Sequence, residues 1–279
     1  MSKPSELLQK NFPFEPTYGQ QEVFRLLDDF LSTKDNEKKI FLLRGYAGTG
    51  KTTLVSQLVK ILPVLGLDYK LLAPTGRAAK VISSYSGKPA YTIHRSIYMH
   101  ASDGDQSFYR FSLKKNFLTN TIFIVDEASM ISDDPDTGEK GLLSDLMSFV
   151  FEKKGNRLLV IGDVAQLPPV KKEISPALEA SFLESKFAVR LWQYELTDVV
   201  RQEKESGILK NATVLRDKIA ASKFHINFIT KGYNDIYKMT GEKLEEGLRY
   251  AYDKYGIDNT AIICRSNKAA TQYLSLIHI

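Results

Sequence analysis

Residues 40–62, IFLLRGYAGTGKTTLVSQLVKIL, constrain the fold more than any other stretch of this chain. An apolar run, Ile40–Arg44, leads into Gly45-Tyr-Ala-Gly48-Thr49-Gly50-Lys51-Thr52, a G-x-x-x-x-G-K-[ST] pattern. Leu54, Val55, Leu58 and Leu62 then follow at helical spacing. Strand, glycine loop and amphipathic helix in direct succession predict a βα unit. Its glycines let the backbone curl until several N–H groups face one point, and the positive end of the helix dipole stands behind them. Such a cradle suits phosphate. Lys51 is expected to reach the β- and γ-phosphates of ATP, and the Thr52 hydroxyl to hold Mg²⁺. Gly45, Gly48, Thr49, Gly50, Lys51, Thr52 and Thr53 make up the expected ATP-binding loop.

Short apolar runs alternate with helical patterns over much of the chain. Strands are predicted at Ile40–Arg44, Tyr69–Ala73, Thr121–Val125, Leu158–Ile161 and Tyr194–Leu196. Helices are predicted at Tyr18–Leu31, Lys51–Leu62, Arg77–Ser83, Leu142–Phe151 and Ser175–Ser185. This alternation predicts an α/β fold, a parallel sheet with helices on both faces. Residues 98–118 read as a turn and a short β-like run, a small insertion. Beyond Arg201, Asp235–Met239, Leu244–Tyr255 and Thr260–Cys264 read as strand, helix and strand, the opening of a second α/β unit. The expected domains are 1–202 and 203–279.

Two further stretches carry chemistry. The run Thr121–Val125 delivers Asp126 and Glu127 to a strand's C-terminal end, where open α/β sheets bind ligands. By itself, such an acid pair is more often a helix N-cap or a surface turn. Beside a phosphate loop, Asp126 suits the magnesium and Glu127 suits polarising an attacking water. The second stretch, Leu158-Leu-Val-Ile-Gly-Asp163-Val-Ala-Gln166-Leu-Pro-Pro, places Gln166 just past another strand. Its amide fits the γ-phosphate or the attacking water, and a plain proline-stiffened turn fits the spacing as well.

Composition narrows the setting. Lys and Arg number 38 against 33 Asp and Glu, a net charge of +5 that suits a polyanionic partner without requiring one. No apolar run reaches the roughly 20 residues of a membrane-spanning helix, and the polar start lacks a secretory core. The single cysteine, Cys264, excludes an internal disulfide framework and a multi-cysteine zinc site. The expectation is a soluble, cytoplasmic protein with no membrane partner.

The motifs occur in a recognisable order. The chain resembles the superfamily 1B DNA helicases, in particular their RecD-like and Dda-like group. Besides the glycine loop and Asp126-Glu127-Ala-Ser, Thr17-Tyr-Gly-Gln20 is similar to the Q motif, and Leu72-Ala-Pro74-Thr75-Gly-Arg77 to motif Ia. Thr92-Ile-His94-Arg95 is similar to motif Ib, Gly162–Pro168 to motif III, and Leu196–Gln202 to motif IV. The string Cys264-Arg265-Ser266-Asn267-Lys268 resembles the entry to a second motor domain.

The resemblance implies a P-loop NTPase fold: a RecA-like domain followed by a partial second RecA-like domain. It implies an ATP-dependent helicase moving 5′ to 3′, with ATP and Mg²⁺ as cofactors and single-stranded DNA and duplex junctions as partners. Lys51, Glu127, Gln166 and Arg201 become the catalytic set, Arg201 as an arginine finger. Gln20 is assigned to the adenine edge, with Gln21 as fallback. Thr52 and Asp126 are assigned to the metal. Pro74, Thr75, Arg77, Thr92, His94 and Asn267 are assigned to DNA, although His94 equally suits a cap or a polar pocket. The insertion, with Phe108, Tyr109 and Phe111 near Lys114 and Lys115, corresponds to the strand-separating pin.

Family motifs V and VI are absent, so the chain by itself is expected to unwind little or not at all. Its last six residues, LSLIHI, can be encoded by CTGTCTCTTATACACATC, a transposase adapter end, so the natural chain is expected to continue past Tyr273. Two rivals share some of these features: a P-loop kinase, and a non-catalytic nucleic-acid-binding module.

Overall fold

The structure, a computed structural model, describes residues 3–101, 110–135, 141–198, 206–223 and 225–277. It comprises two compact units, Met1–Lys204 and Glu205–Ile279.

The first unit is built on a six-stranded parallel sheet. In chain order its strands are β1 (Lys39–Gly45), β2 (Asp68–Ala73), β3 (Ala90–Thr92), β6 (Thr121–Val125), β7 (Arg157–Gly162) and β8 (Arg190–Leu196). In space they run β3-β2-β6-β7-β1-β8. A separate antiparallel ribbon, β4 (Tyr98–Ala101) and β5 (Arg110–Leu113), pairs Tyr98 with Leu113 and Ala101 with Arg110. This ribbon occupies the insertion expected at 98–118. Phe108 and Tyr109 lie outside the described residues.

The central strands β1, β6 and β7 are apolar over most of their length because both faces are covered. Phe41, Leu43, Ile122, Ile124, Leu159 and Ile161 join one core, with helices α1 (Pro4–Asn11), α2 (Tyr18–Ser32) and α3 (Lys51–Ile61). Ile40, Leu42, Phe123, Val125, Leu158 and Val160 point the other way. They pack with α5 (Ile93–Ile97), α6 (Leu142–Val150) and α7 (Ala180–Phe187). Alternate residues of one strand thus feed two cores. Helix α4 (Gly76–Ser86) follows β2 and contributes Ile82 to the first core.

Polar side chains set the ends of these elements. Thr17 caps α2 by accepting from Gln20 N, and Gln20 Oε1 returns the bond by accepting from Thr17 N at 3.0 Å. Asn156, which is buried, accepts from Thr121 N at 3.0 Å and donates to Leu118 O and Val150 O, fixing the entry to β6. Trp192 packs edge-on against Phe30, and its indole N–H donates to Asp29 Oδ2 at 2.8 Å.

Several expectations need correction. Strand β3 escaped the sequence reading because it is a three-residue edge strand with no apolar run. The helix expected over Ser175–Ser185 is divided: a single 3₁₀ turn at Pro176–Leu178 precedes α7, and Glu179 between them is extended. In the second unit, α8 (Gly207–Ala220), α9 (Leu244–Tyr255) and α10 (Asn267–Ile277) form. The strands expected at Asp235–Met239 and Thr260–Cys264 do not. A strand needs a hydrogen-bonding neighbour. Asp235 instead accepts from Ser206 Oγ, Gly207 N and Ile208 N at the start of α8, which holds its carboxyl below the usual range. Ile263 is 96% exposed, and Thr260, Ile262 and Cys264 are only half-buried, so the second run packs little.

Phe123 is fully buried and meets Phe149 edge-on at 6.0 Å between centroids. Phe123→Ala is expected to destabilise the first unit by about 3–5 kcal/mol, measured by urea denaturation. A change under about 1 kcal/mol would show that this face of the sheet is not a packed core.

Candidate functional site

Every element of the site leaves the sheet at its C-terminal edge. The loop follows β1, Asp126 and Glu127 follow β6, Asp163 and Gln166 follow β7, and Pro74 and Thr75 follow β2. The register brings them level: Arg44 lies opposite Gly162, Val125 opposite Val160, and Leu72 opposite Val125.

The loop is shaped by its glycines. Gly48 and Gly50 have φ of 78° and 84°, a left-handed conformation that glycine adopts without strain. Gly45 is required for closeness, since a Cβ there would lie 2.8 Å from Thr49 Oγ1 and 3.0 Å from Leu196 Cβ. Thr49 is buried, and its hydroxyl donates to Tyr46 O at 2.8 Å, which closes the loop on itself. Thr52 and Thr53 stand half-buried in the first turn of α3.

Gln20 is buried beneath this loop. Its Nε2 donates to Thr49 O at 3.0 Å while its Oε1 serves the α2 cap, so both ends of the amide are engaged within the protein. It braces the phosphate loop from behind. Gln21 is exposed and donates to Pro16 O.

Lys51 donates to Gly45 O at 2.7 Å and Tyr46 O at 2.8 Å, and its ammonium lies 4.0 Å from Asp163 Oδ2. Asp163 is buried, and its Oδ1 accepts from Ala165 N. Asp163 has no role in the sequence-based assignment; it stands directly after β7, and the pairing of β7 with β1 brings it to Lys51.

Asp126 is 7% exposed. Burial, and then the adjacent Glu127 carboxylate, push its pKa up to about 6, against the opposing pull of the Glu127 N–H and the Lys51 ammonium. Glu127 holds a left-handed backbone, φ 57°, which costs a non-glycine residue on the order of 1 kcal/mol. Asp126 Oδ1 accepts from Glu127 N at 3.0 Å and secures this turn. Ser129, two residues on, donates to Gln166 Oε1 at 3.2 Å. The turn after β6 and the loop after β7 are thereby joined.

These residues fit a divalent cation. A buried carboxylate beside a second acid opposes its own ionisation, and a cation relieves both costs. Asp126, with the Thr52 hydroxyl, would hold it.

The DNA-assigned residues are divided. Thr75 and Thr92 cap α4 and α5, accepting from Ala78 N and Arg95 N. Ala73 pairs with Thr92, so both threonines stand together at the sheet edge with Pro74, and Arg77 is exposed. His94 is half-buried with its ring 5.6 Å from Tyr98, and burial lowers its pKa. Asn267 opens α10 in the second unit. Arg201 lies outside the described residues.

The Asp126 shift has a stability consequence. Between about pH 4 and 6 the folded chain retains a proton that the unfolded chain has lost, so folding stability falls as pH rises through that window and then levels. Asp126→Asn removes this slope. In a metal chelator, the variant is expected to match the parent near pH 4 and to exceed it above pH 7 by about 2–3 kcal/mol. Thermal or urea unfolding across that range measures the gap; a gap independent of pH would show that burial does not govern this carboxylate.

A family model described as AAA domain matches residues 25–227. The chain is 32% identical to the ATP-dependent RecD2 DNA helicase of Deinococcus radiodurans over 174 residues, 62% of this chain and 21% of that protein. It is 29% identical to the ATP-dependent DNA helicase dda of Enterobacteria phage T4 over 204 residues, 72% of this chain and 42% of that protein. It therefore spans about a fifth of the first and under half of the second. Among solved structures, the Pif1 helicase of Candida albicans is similar at 19% identity and a TM-score of 0.46, covering 85% of this chain and 54% of that one. The chain belongs to the AAA domain family, among the RecD-like and Dda-like members of superfamily 1B.

Proposed function

We propose that residues 1–204 are the nucleotide-hydrolysing domain of an ATP-dependent DNA helicase, and that the second unit opens a further RecA-like domain. In this reading the whole protein works in the cytoplasm, couples Mg·ATP hydrolysis to 5′-to-3′ movement on single-stranded DNA, and opens duplex junctions. The observation that carries the reading is the convergence on one sheet edge of the phosphate loop, the Asp126–Glu127 turn and the Gln166 loop. The helicase names of the RecD2 and Dda relatives supply the substrate.

The chemistry follows from the residues. Loop amides and the α3 N-terminus receive the phosphates. Lys51 exchanges the carbonyls of Gly45 and Tyr46 for β- and γ-phosphate oxygens, while Asp163, 4.0 Å away, helps hold the ammonium in place. Mg²⁺, held through Thr52 and Asp126, supplies charge neutralisation on the phosphates. Glu127 orients a water and takes its proton during in-line attack. Gln166, tied to Ser129, reads the state of the γ-phosphate. Arg201 is assigned to the transition-state charge as an arginine finger. Pro74, Thr75, Arg77, Thr92 and His94 form the DNA track, and Asn267 belongs to the second grip. The ribbon β4–β5 is the base of the pin.

Fluorescent-nucleotide titration tests the site. Lys51→Ala is expected to weaken Mg·ATP binding by about tenfold or more, while Glu127→Gln keeps binding and lowers phosphate release by about a hundredfold. Release unchanged by DNA, with transfer to another acceptor, would turn the reading towards a kinase. A Glu127→Gln chain that behaves as the parent in every assay would leave only a binding module.

A further inference from the structure

Away from the nucleotide loop, the edge of the sheet carries a basic cavity of about 380 Å³, formed by β2, β3, α5 and the chain just after β5. Lys70, Tyr91, Arg95, Ser96, Lys114 and Phe117 line it. Lys70 stands three residues before the end of β2, about 10 Å along a strand, so the cavity is set back from the edge that bears the phosphate loop.

Three observations mark it as a site. Its cations are not neutralised: among the described residues, Lys70, Arg95, Lys114 and Lys115 have no carboxylate within salt-bridge distance. The nearby Glu152 accepts from Asn116 N at 2.7 Å. Burial and the facing Lys114 ammonium both depress the Lys70 pKa, a sign of uncompensated charge. Second, Ser96 lines the cavity, and its buried hydroxyl has no hydrogen-bond partner among the described residues, although buried hydroxyls are normally satisfied. Third, Tyr91 is 38% exposed, with Lys70 Nζ at 5.9 Å and Arg95 Cζ at 5.5 Å from its ring centroid. Phe117 is 77% exposed with Lys115 Nζ at 6.0 Å.

A second cavity, about 490 Å³, lies between α4 and β3, with Gly76, Lys80 and Thr92 in its wall. Tyr91 and Arg95 line both cavities. One strand can therefore leave the Thr92 side, cross the Tyr91–Arg95 ridge and enter the Lys70 side.

We propose that the Lys70 cavity is an additional nucleic-acid contact that holds a strand phosphate between Lys70, Lys114 and the Ser96 hydroxyl, with a neighbouring base on the Tyr91 ring. It rests on the nucleic-acid reading above and names a subsite beyond the track at the sheet edge. Cations serve the phosphate, the hydroxyl gains its missing partner, and an exposed ring stacks any base without reading its identity.

The test uses the full chain and a labelled dT20 strand, followed by fluorescence anisotropy at several salt concentrations. Lys70→Glu combined with Lys114→Glu is expected to weaken binding at low salt by about tenfold or more and to lower the log–log salt slope by about 0.7 for each phosphate left unneutralised. Ser96→Ala and Tyr91→Ala, which keep the cations, are each expected to weaken binding by about threefold or more. Binding of fluorescent Mg·ATP should stay at the parent value in all of them. If these variants bind dT20 like the parent while Arg77→Ala binds it less, the cavity is not a strand contact and the helicase reading stands. If dTMP alone binds in a Lys70-dependent manner while strand affinity is unmoved, the cavity serves a free nucleotide and the proposal is overturned. If the parent binds no strand at all, both readings fall together.

Discussion

Parallel pairing on both sides of β1 is the constraint on which the site depends. With β7 on one side and β8 on the other, β1 has no free edge, and Gly45 ends it tightly against Leu196. The chain must then turn within a few residues into α3, and the glycines permit this. The same pairing brings Asp163 beside Lys51, because Gly162 lies opposite Arg44. A shift of one residue in this register would exchange the two cores, sending Phe41 and Leu43 to the face now filled by Ile40 and Leu42. Burial on both faces therefore fixes the geometry of a polar site that is itself only partly buried.

The site accumulates negative charge at a cost. Asp126 and Asp163 are both buried, and Glu127 adjoins the first. Lys51 is the cation shared among them, and its two carbonyl partners hold it in the loop. Such an arrangement favours the arrival of a metal–phosphate complex, which brings positive charge to Asp126 and anionic oxygens to Lys51. The strained backbone at Glu127 is held by a hydrogen bond from its N–H to Asp126 Oδ1, which fixes the turn in advance of any ligand.

Much of this was legible in the sequence. The four central strands announce themselves as apolar runs because both of their faces are buried, and the glycine loop is encoded locally, residue by residue. What was hidden depends on long-range pairing. Strand β3 is three residues long and exists because β2 offers it an edge. Asp235–Met239 has strand-like composition, yet its acid caps a helix instead. Gln20 is assigned to the adenine edge; its amide also bonds Thr17 N, a capping pair three residues apart, and Thr49 O, a bond across 29 residues that local spacing does not reveal. Asp163 went unassigned for the same reason, since its neighbour Lys51 belongs to a strand connection far earlier in the chain. Arg201 lies outside the described residues, and its role rests on resemblance alone.

The sheet order also separates two ways of handling anions. At the centre, β1, β6 and β7 place Lys51 among acids, an arrangement for binding and cleaving a phosphate that arrives with its metal. At the β2–β3 rim, Lys70 and Lys114 have no carboxylate within salt-bridge distance among the described residues, which in the proposed reading suits holding a phosphate and leaving it unchanged. Strand β2 connects the two. Asp126 N donates to Leu72 O at 3.0 Å, directly across from the acid turn, and two residues later β2 delivers Pro74 and Thr75 to the sheet edge. A rearrangement of the acid turn on nucleotide binding or hydrolysis would therefore bear on the same strand that carries Lys70 and leads to the DNA-assigned loop. In the proposed reading, that backbone hydrogen bond between neighbouring strands is a contiguous link between the chemical and the gripping groups.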